Sequence, residues 1–271
     1  MNIGIITELH ATDNCFRRVS ELGLDVCQLC GWDMSLATRE MAERVLREAE
    51  EQNVRICAFW AGVPGRLVWD FAEGPTTLGI VPEAVRAERV AALKRWADFA
   101  NWIGVPAIIT HCGFIPENMT DPQYEEVVAA IREVAQYCAQ LGLEFWFETG
   151  QETPVVLLRT IDRVGTGNLG VNLDPANLIM YGKGNPVDAL GVIGKYVRNI
   201  HVKDGMYPTS GDALGAEVAP GQGQVDFPQF LSGLKQLGFK GEFIIEREIT
   251  GEQQKADIRQ TITDLQQWWA M

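Results

Sequence analysis

Short apolar runs of strand-like length recur along the chain and alternate with longer stretches of helical spacing. The eight runs span positions 2 to 7, 25 to 30, 54 to 60, 105 to 110, 143 to 148, 168 to 174, 197 to 203 and 242 to 247. The clearest helical stretches are 83 to 103 and 121 to 141, where apolar residues recur three and four positions apart. Eight repeats of strand and helix, with no low-complexity linker between them, predict a single (β/α)8 TIM barrel over residues 1 to 271.

Capping and turn signals agree with this division of the chain. Asp121 and Pro122 supply a cap and a first-turn proline, and glycines stand where predicted helices end. A doubly wound open sheet is the alternative. It is disfavoured because the segment TELHATDN after the first strand has no glycine-rich dinucleotide turn. We expect the long loops 61 to 82 and 204 to 225 to lie on the catalytic face of the barrel.

Four consecutive predicted strands in the second half of the chain end on metal-binding side chains. These side chains are Glu148, Asp174, His201 and Glu246. Their spacings of 26, 27 and 45 residues leave room for a returning helix in each gap, which predicts parallel strands. Barrel active sites lie at the carboxyl ends of the strands, and the two-residue period points all four side chains inward. The sequence therefore predicts one site for a single divalent ion.

The donor set also indicates which metal the site prefers. Three carboxylates and one imidazole favour Mn²⁺, with Mg²⁺, Co²⁺ and Zn²⁺ as alternatives, and leave positions open for substrate oxygens. Any single strand-end acid is explained equally well as a helix cap or as the partner of an Arg or Lys. Four such residues at four consecutive strand ends favour the metal site.

Composition and charge narrow the range of partners. The chain has 46% hydrophobic residues, but no apolar run reaches membrane-spanning length and MNIGIITELH lacks a signal-like core, so we expect a cytoplasmic protein without a membrane partner. A net charge of −13 argues against nucleic acid. The sequence is compatible with a homo-oligomer. Cys27 and Cys30 lie three apart in one strand, hence on opposite faces, and are not predicted to chelate.

Five segments carry a resemblance to a known family: FETGQETP (147 to 154), GVNLDPANLIMYG (170 to 182), HVKDG (201 to 205), PGQGQVDF (220 to 227) and GEFIIERE (241 to 248). Over essentially its whole length the chain resembles the xylose isomerase-like TIM barrels. This superfamily holds sugar isomerases, ketose 3-epimerases, inosose dehydratases and AP endonucleases. The resemblance implies that Glu148, Asp174, His201 and Glu246 hold the metal. It also implies that Glu148 and Glu246 act as catalytic acid and base across the sugar.

The chain departs from the family pattern at two positions. Family members often read Asp-x-x-His after strand six, whereas this chain places Asn177 three residues after its aspartate. Lys203 and Tyr207 stand where the epimerases tend to place an arginine. The trinuclear AP endonucleases need several histidine ligands, and this chain has three histidines in total. DNA repair is therefore disfavoured.

Five further residues are predicted to bind substrate: Trp60, His111, Glu152, Asn177 and Lys203. Trp60 ends strand three, where an indole face suits the apolar face of a sugar. His111 follows strand four and is placed to overlook the metal. Glu152 and Lys203 stand close to ligands in the sequence, and Asn177 offers a hydrogen-bonding amide.

The predicted function is a divalent-metal-dependent isomerase or epimerase of a carbohydrate, a sugar or sugar-like polyol, working by proton transfer through a metal-stabilised enediolate. A sugar or inosose dehydratase that uses the same site is one alternative. A metal-dependent hydrolase and a non-catalytic sugar-binding protein are the others.

Overall fold

The computed structural model describes residues 1–271, and eight parallel strands close into one barrel, which confirms the predicted (β/α)8 fold. The barrel strands are β1 (Asn2–Glu8), β2 (Val26–Gly31), β3 (Arg55–Ala61), β4 (Ala107–Thr110), β5 (Glu144–Glu148), β6 (Leu169–Leu173), β7 (Val197–Val202) and β10 (Glu242–Ile245). Each strand pairs with its sequence neighbours in the barrel, and β10 closes the sheet against β1. A separate antiparallel pair, β8 (Asp204–Gly205) and β9 (Glu217–Val218), lies outside the barrel sheet.

Helices return the chain between barrel strands. They are α1 (Arg17–Glu21), α2 (Arg39–Glu51), α3 (Gly74–Thr77), α4 (Glu83–Trp102), α5 (Pro122–Gln140), α6 (Pro154–Val164), α7 (Pro175–Met180), α8 (Pro186–Ile193), α9 (Phe227–Gln236) and α10 (Glu252–Ala270). Two 3₁₀ turns span Met34–Leu36 and Gly194–Tyr196. Side-chain oxygens at helix starts accept backbone N–H groups that would otherwise lack a partner, as Asp121 does at α5 and Thr153 at α6. None of the helices is both long and apolar enough to cross a membrane.

The hydrophobic residues divide into two layers because successive strand residues face opposite sides of the sheet. A cluster of 61 buried residues fills the space between the strands and the helices. A smaller cluster of 9 residues, including Trp60, Trp146 and Ile244, fills the barrel interior. Cys27 belongs to the outer layer and Cys30 to the inner one, so the pair faces opposite sides as the sequence predicts.

The observed elements agree with the sequence prediction to within two residues at nearly every boundary. β10 ends at Ile245 and β6 at Leu173, so Glu246 and Asp174 lie just beyond their strands. The two long loops are more structured than predicted: one contains α3, and the other is fastened by the β8–β9 pair. Both follow the carboxyl ends of strands and border the candidate site.

Candidate metal centre and active site

Four ligand-type side chains meet at the carboxyl ends of four adjacent strands. One donor atom from each of Glu148, Asp174, His201 and Glu246 lies within 4.8 Å of the others. Glu148, Asp174 and His201 are fully buried, and Glu246 is partly exposed. The structure thus brings together all four residues that the spacing selected.

Asp174 combines a structural contact with a free donor atom. It is the N-cap of α7, and its Oδ1 accepts a hydrogen bond of 2.9 Å from the backbone N–H of Asn177. Its Oδ2 makes no hydrogen bond and lies 3.9 Å from Nδ1 of His201. One oxygen therefore fixes the side chain on the helix while the other points into the site.

His201 is oriented by a residue from the far side of the barrel. Its Nε2 lies 2.8 Å from Oε1 of Gln28 on β2, and because an amide oxygen only accepts, Nε2 is the donor. In the neutral imidazole this leaves a lone pair on Nδ1. That nitrogen lies 3.0 Å from Glu148 Oε1 and 2.8 Å from Glu246 Oε2.

Polar residues beneath the site extend this network. Asn172, two residues before Asp174, accepts at Oδ1 from the amide of Asn199 at 2.7 Å and from that of Gln28 at 3.5 Å. All three amides are fully buried inside the barrel. Asn172 and Asn199 thus support Gln28, which holds the His201 ring in one orientation.

The charged groups of the cluster shift one another's pKa values. Burial by itself lowers the pKa of His201, but the neighbouring Glu148 and Glu246 raise it well above its usual value. Burial raises the pKa of Glu148, but His201 and His111 outweigh it and lower that pKa. The pKa of Glu246 is likewise lowered, because Lys203 and His201 outweigh its burial. Glu148 and Glu246 are therefore ionised beside two positively charged groups, His201 and Lys203. A divalent ion would displace the proton from Nδ1 of His201.

A divalent ion fits these residues. Asp174 Oδ2 is buried and makes no hydrogen bond, and His201 Nδ1 and Glu246 Oε2 face each other at 2.8 Å without hydrogen-bond geometry, an arrangement that is rare in native interiors. Together with Glu148 they offer three carboxylates and one imidazole, a donor set suited to a hard or borderline divalent metal. The four side chains would hold the ion from four different strands.

A cavity of about 470 Å³ opens above the four ligands. Its lining residues come from most of the barrel strands and the loops that follow them: Ile6, Thr7, Glu8, Arg18, Cys30, Trp32, Trp60, Trp69, His111, Glu148, Asn177, Met180, Tyr181, Lys203, Leu214, Glu246 and Glu248. Trp60 donates its indole N–H to Glu148, and Nε2 of His111 lies 3.5 Å from the same carboxylate. The volume accommodates a molecule the size of a sugar.

Lys203 is a buried cation beside the ligands. Its Nζ lies 3.6 Å from Asp174, 3.5 Å from Glu246 and 2.6 Å from Glu248. Although burial lowers the pKa of Lys203, these carboxylates raise it well above the usual lysine value. Its ammonium also donates to Oδ1 of Asn177 at 3.3 Å.

Four of the five predicted substrate-binding residues line the cavity: Trp60, His111, Asn177 and Lys203. Glu152 is buried and does not line it, and burial raises the pKa of its carboxyl to about 8. Sequence reasoning missed Gln28, Arg18 and Glu248. Gln28 had a readable signal, because it is a lone amide in the otherwise apolar strand VCQLCG.

Comparison with known proteins is consistent with this architecture. Residues 16–268 match the sequence model of a family described as xylose isomerase-like TIM barrel. The chain is 35% identical to a xylose isomerase domain protein from Planctomyces limnophilus, whose crystal structure superposes with a TM-score of 0.93 over 98% of this chain and 96% of that one.

More distant relatives are sugar-processing enzymes. A 3-keto-D-glucoside 4-epimerase from E. coli superposes with a TM-score of 0.72 at 19% identity, over 98% of this chain and 99% of that one. The inosose dehydratase of Geobacillus kaustophilus is 22% identical over 59% of this chain and 62% of that protein. The chain spans about three fifths of the length of the curated relatives it matches. At these identities the likeness establishes the fold.

Proposed function

The chain belongs to the xylose isomerase-like TIM barrel family, and we propose that it is a divalent-metal-dependent isomerase or epimerase of a sugar or sugar-like polyol. One observation carries this proposal. Two glutamates, Glu148 and Glu246, approach the same nitrogen of His201 from strands separated by β6 and β7, and both line the cavity. A substrate in the cavity would therefore meet a carboxylate on each side.

Each residue of the site has a separate role in such a reaction. A divalent ion, Mn²⁺ by preference, would supply Lewis-acid polarisation of adjacent carbonyl and hydroxyl oxygens. One glutamate takes a proton from the carbon beside the carbonyl, and the other returns a proton to a neighbouring carbon or to the opposite face. Lys203 and Asn177 stand beside the ligands, where they would bind substrate oxygens. Trp60 and Trp69 supply aromatic surface for the apolar face of a sugar.

A dehydratase is the second candidate, favoured by the similarity to inosose dehydratase. The same proton abstraction would begin that reaction, and loss of a hydroxyl from the next carbon would complete it. The two reactions thus share Glu148 and Glu246 and differ in the fate of one hydroxyl. A hydrolase or a non-catalytic sugar-binding protein would not need a carbon-bound proton to move.

Turnover in heavy water separates these candidates. The Mn²⁺-loaded protein is incubated with a panel of ketoses, aldoses and inososes in D₂O, and the products are examined by NMR. An isomerase or epimerase places deuterium on the carbon beside the carbonyl, because a glutamic acid exchanges its proton with solvent. A dehydratase also loses water. Turnover with that carbon left unlabelled would overturn the proton-transfer proposal.

A further inference from the structure

Arg18 is the one partly buried arginine whose guanidinium has no partner in the chain. It lies in α1, directly after β1, and lines the cavity above the metal centre. The other buried or partly buried arginines all bond to carboxylates or backbone carbonyls: Arg44, Arg86, Arg89, Arg132, Arg159, Arg198 and Arg247. The guanidinium of Arg18 is therefore a charged hydrogen-bond donor at the substrate cavity whose N–H groups have no partner in the chain.

Partial burial of the Arg18 charge without a partner costs solvation free energy, which an anionic ligand can offset. Burial lowers the pKa of Arg18, and no neighbouring carboxylate offsets the shift. The group nevertheless stays protonated, because the ordinary pKa of arginine lies above about 12. A guanidinium matches the two oxygens of a carboxylate with parallel hydrogen bonds, which are among the strongest that side chains form.

We propose that Arg18 binds a carboxylate of the substrate, so that the substrate is an acidic ketose or keto-polyol rather than a neutral sugar. This inference rests on the proposed function, because it places the carbonyl of the same molecule at the metal centre. It assigns a chemical class to the substrate of that site.

The charges around the cavity favour a carboxylate over a phosphate. Only one other permanently charged cation lines the cavity, Lys203, and it is already held by Glu248 and by the metal ligands. Glu8, at the end of β1, also faces the cavity and forms no ion pair. A phosphate dianion would face these carboxylates with one free guanidinium, whereas a monoanionic carboxylate matches the single charge of Arg18.

The position of Arg18 also orients the substrate. β1 adjoins β10 in the barrel and lies diametrically opposite β5. A carboxylate bound by Arg18 would lie on the side of Glu246, with the rest of the carbon chain extending toward Glu148. The reverse orientation would place the carboxylate beside Glu148, on the opposite side of the barrel from the guanidinium of Arg18.

Calorimetric binding of two matched ketoses tests the proposal. D-fructuronate and D-fructose differ in the oxidation state of one terminal carbon, and each is titrated into the Mn²⁺-loaded protein. We expect D-fructuronate to bind at least about tenfold more tightly, and Arg18→Met to lower the ratio of the two affinities by roughly 10- to 100-fold. Arg18→Lys, which keeps the charge but loses the fork, should give an intermediate ratio.

Arg17→Met is the matched control, because Arg17 is exposed on the same helix and outside the cavity. It removes the same charge and should leave the ratio unchanged. Equal affinities in the unaltered protein, or an unchanged ratio in Arg18→Met, would overturn the inference. Deuterium exchange is measured separately and reports on the reaction. If exchange occurs but D-fructuronate does not bind more tightly than D-fructose, only the Arg18 assignment is wrong. If binding depends on Arg18 but no exchange occurs, only the proposed reaction is wrong.

Discussion

Gln28 and His201 lie 173 residues apart in the chain and meet inside the barrel through a hydrogen bond of 2.8 Å. The amide oxygen of Gln28 holds the proton on Nε2, so that Nδ1 faces Glu148 and Glu246. A residue that hydrogen-bonds a metal-ligating histidine, as Gln28 does here, typically contributes 10- to 100-fold to metal affinity. The contact therefore links a residue of the first quarter of the chain to the candidate metal site.

Replacing Gln28 with methionine should weaken Mn²⁺ binding by roughly 10- to 100-fold, because the acceptor that sets the His201 tautomer is lost. Competition with a chelator of known affinity measures the change. Gln140→Met, at an exposed position of α5 without side-chain hydrogen bonds, is the control. An unaltered dissociation constant in Gln28→Met would show that Gln28 does not tune the ligand.

Removing the ion should destabilise the protein. If the ion is present at about 100 times its dissociation constant, a chelator should lower the melting temperature by roughly 5–10 °C. Asp174→Ala and His201→Ala should each lose the ion, whereas Cys27→Ala, in the outer hydrophobic layer, should retain it. Metal content per chain, measured directly, separates ion loss from the loss of the Asp174 helix cap. Full metal content in either ligand variant argues against a four-ligand site.

Local pattern explains why so much of the fold was predictable. A strand exposes alternate residues to opposite faces, so the inward direction of Trp146 and Glu148 follows from spacing alone. Contacts such as Gln28 with His201 depend on barrel closure, which no local window contains. A partial signal exists nonetheless, because the buried amides Asn172 and Asn199 stand two residues before ligands and hence on the same face of their strands.

The role of Asp204 is a second feature that the sequence does not predict. The loop PGQGQVDF looks like an ordinary glycine turn, yet it wraps around the fully buried Asp204. The carboxylate accepts backbone N–H groups at 2.8 to 3.0 Å from four residues: Gly205, Gly221, Gly223 and Val225. A side chain at Gly223 would collide with it, since a Cβ there lies 2.2 Å from Oδ1.

Asp204→Ala should therefore release this loop. Four N–H groups would lose a charged acceptor, and we expect a loss of roughly 2–5 kcal/mol in the free energy of unfolding. Leu214 in the same loop lines the cavity, so ligand binding should weaken as well. Limited proteolysis within residues 204 to 225 and urea denaturation measure the two effects. Asp212→Ala, exposed in the same loop, is the control and should behave like the unaltered protein.

Glu152 should make stability depend on pH. Its folded-state pKa is raised from 4.5 to about 8 by burial, so the carboxyl favours folding below pH 4.5 and loses that contribution as the pH rises to about 8. Glu152→Gln stays neutral, so relative to it the unaltered protein should lose roughly 3–5 kcal/mol over this window, at about 1.4 kcal/mol per pKa unit. Urea denaturation at several pH values measures the difference. Glu43→Gln, at an exposed position of α2, should show no such trend.

The two glutamates of the site should be needed for proton exchange even where the ion is retained. Glu148→Gln and Glu246→Gln keep the side-chain shape and one oxygen but remove either the base or the returning acid, so formation of deuterium-labelled product should fall by roughly 10² or more. Glu144→Gln and Glu242→Gln are matched controls, because these glutamates begin the same strands, β5 and β10, at the opposite end of the barrel. Both controls should keep exchange near that of the unaltered protein.

Deuterium incorporation is measured and divided by the number of metal-loaded chains. Partial loss of the ion is then not mistaken for loss of the base. The contacts set the two glutamates apart: Trp60 donates to Glu148, whereas Lys203 lies 3.5 Å from Glu246. If each glutamate serves a different proton, the two variants should differ in whether abstraction or return is slowed. Abstraction without product, seen as deuterium in recovered substrate, identifies the variant that lacks the returning acid. If both variants exchange at the rate of the controls, neither glutamate is the base, and the four residues serve only to hold the ion.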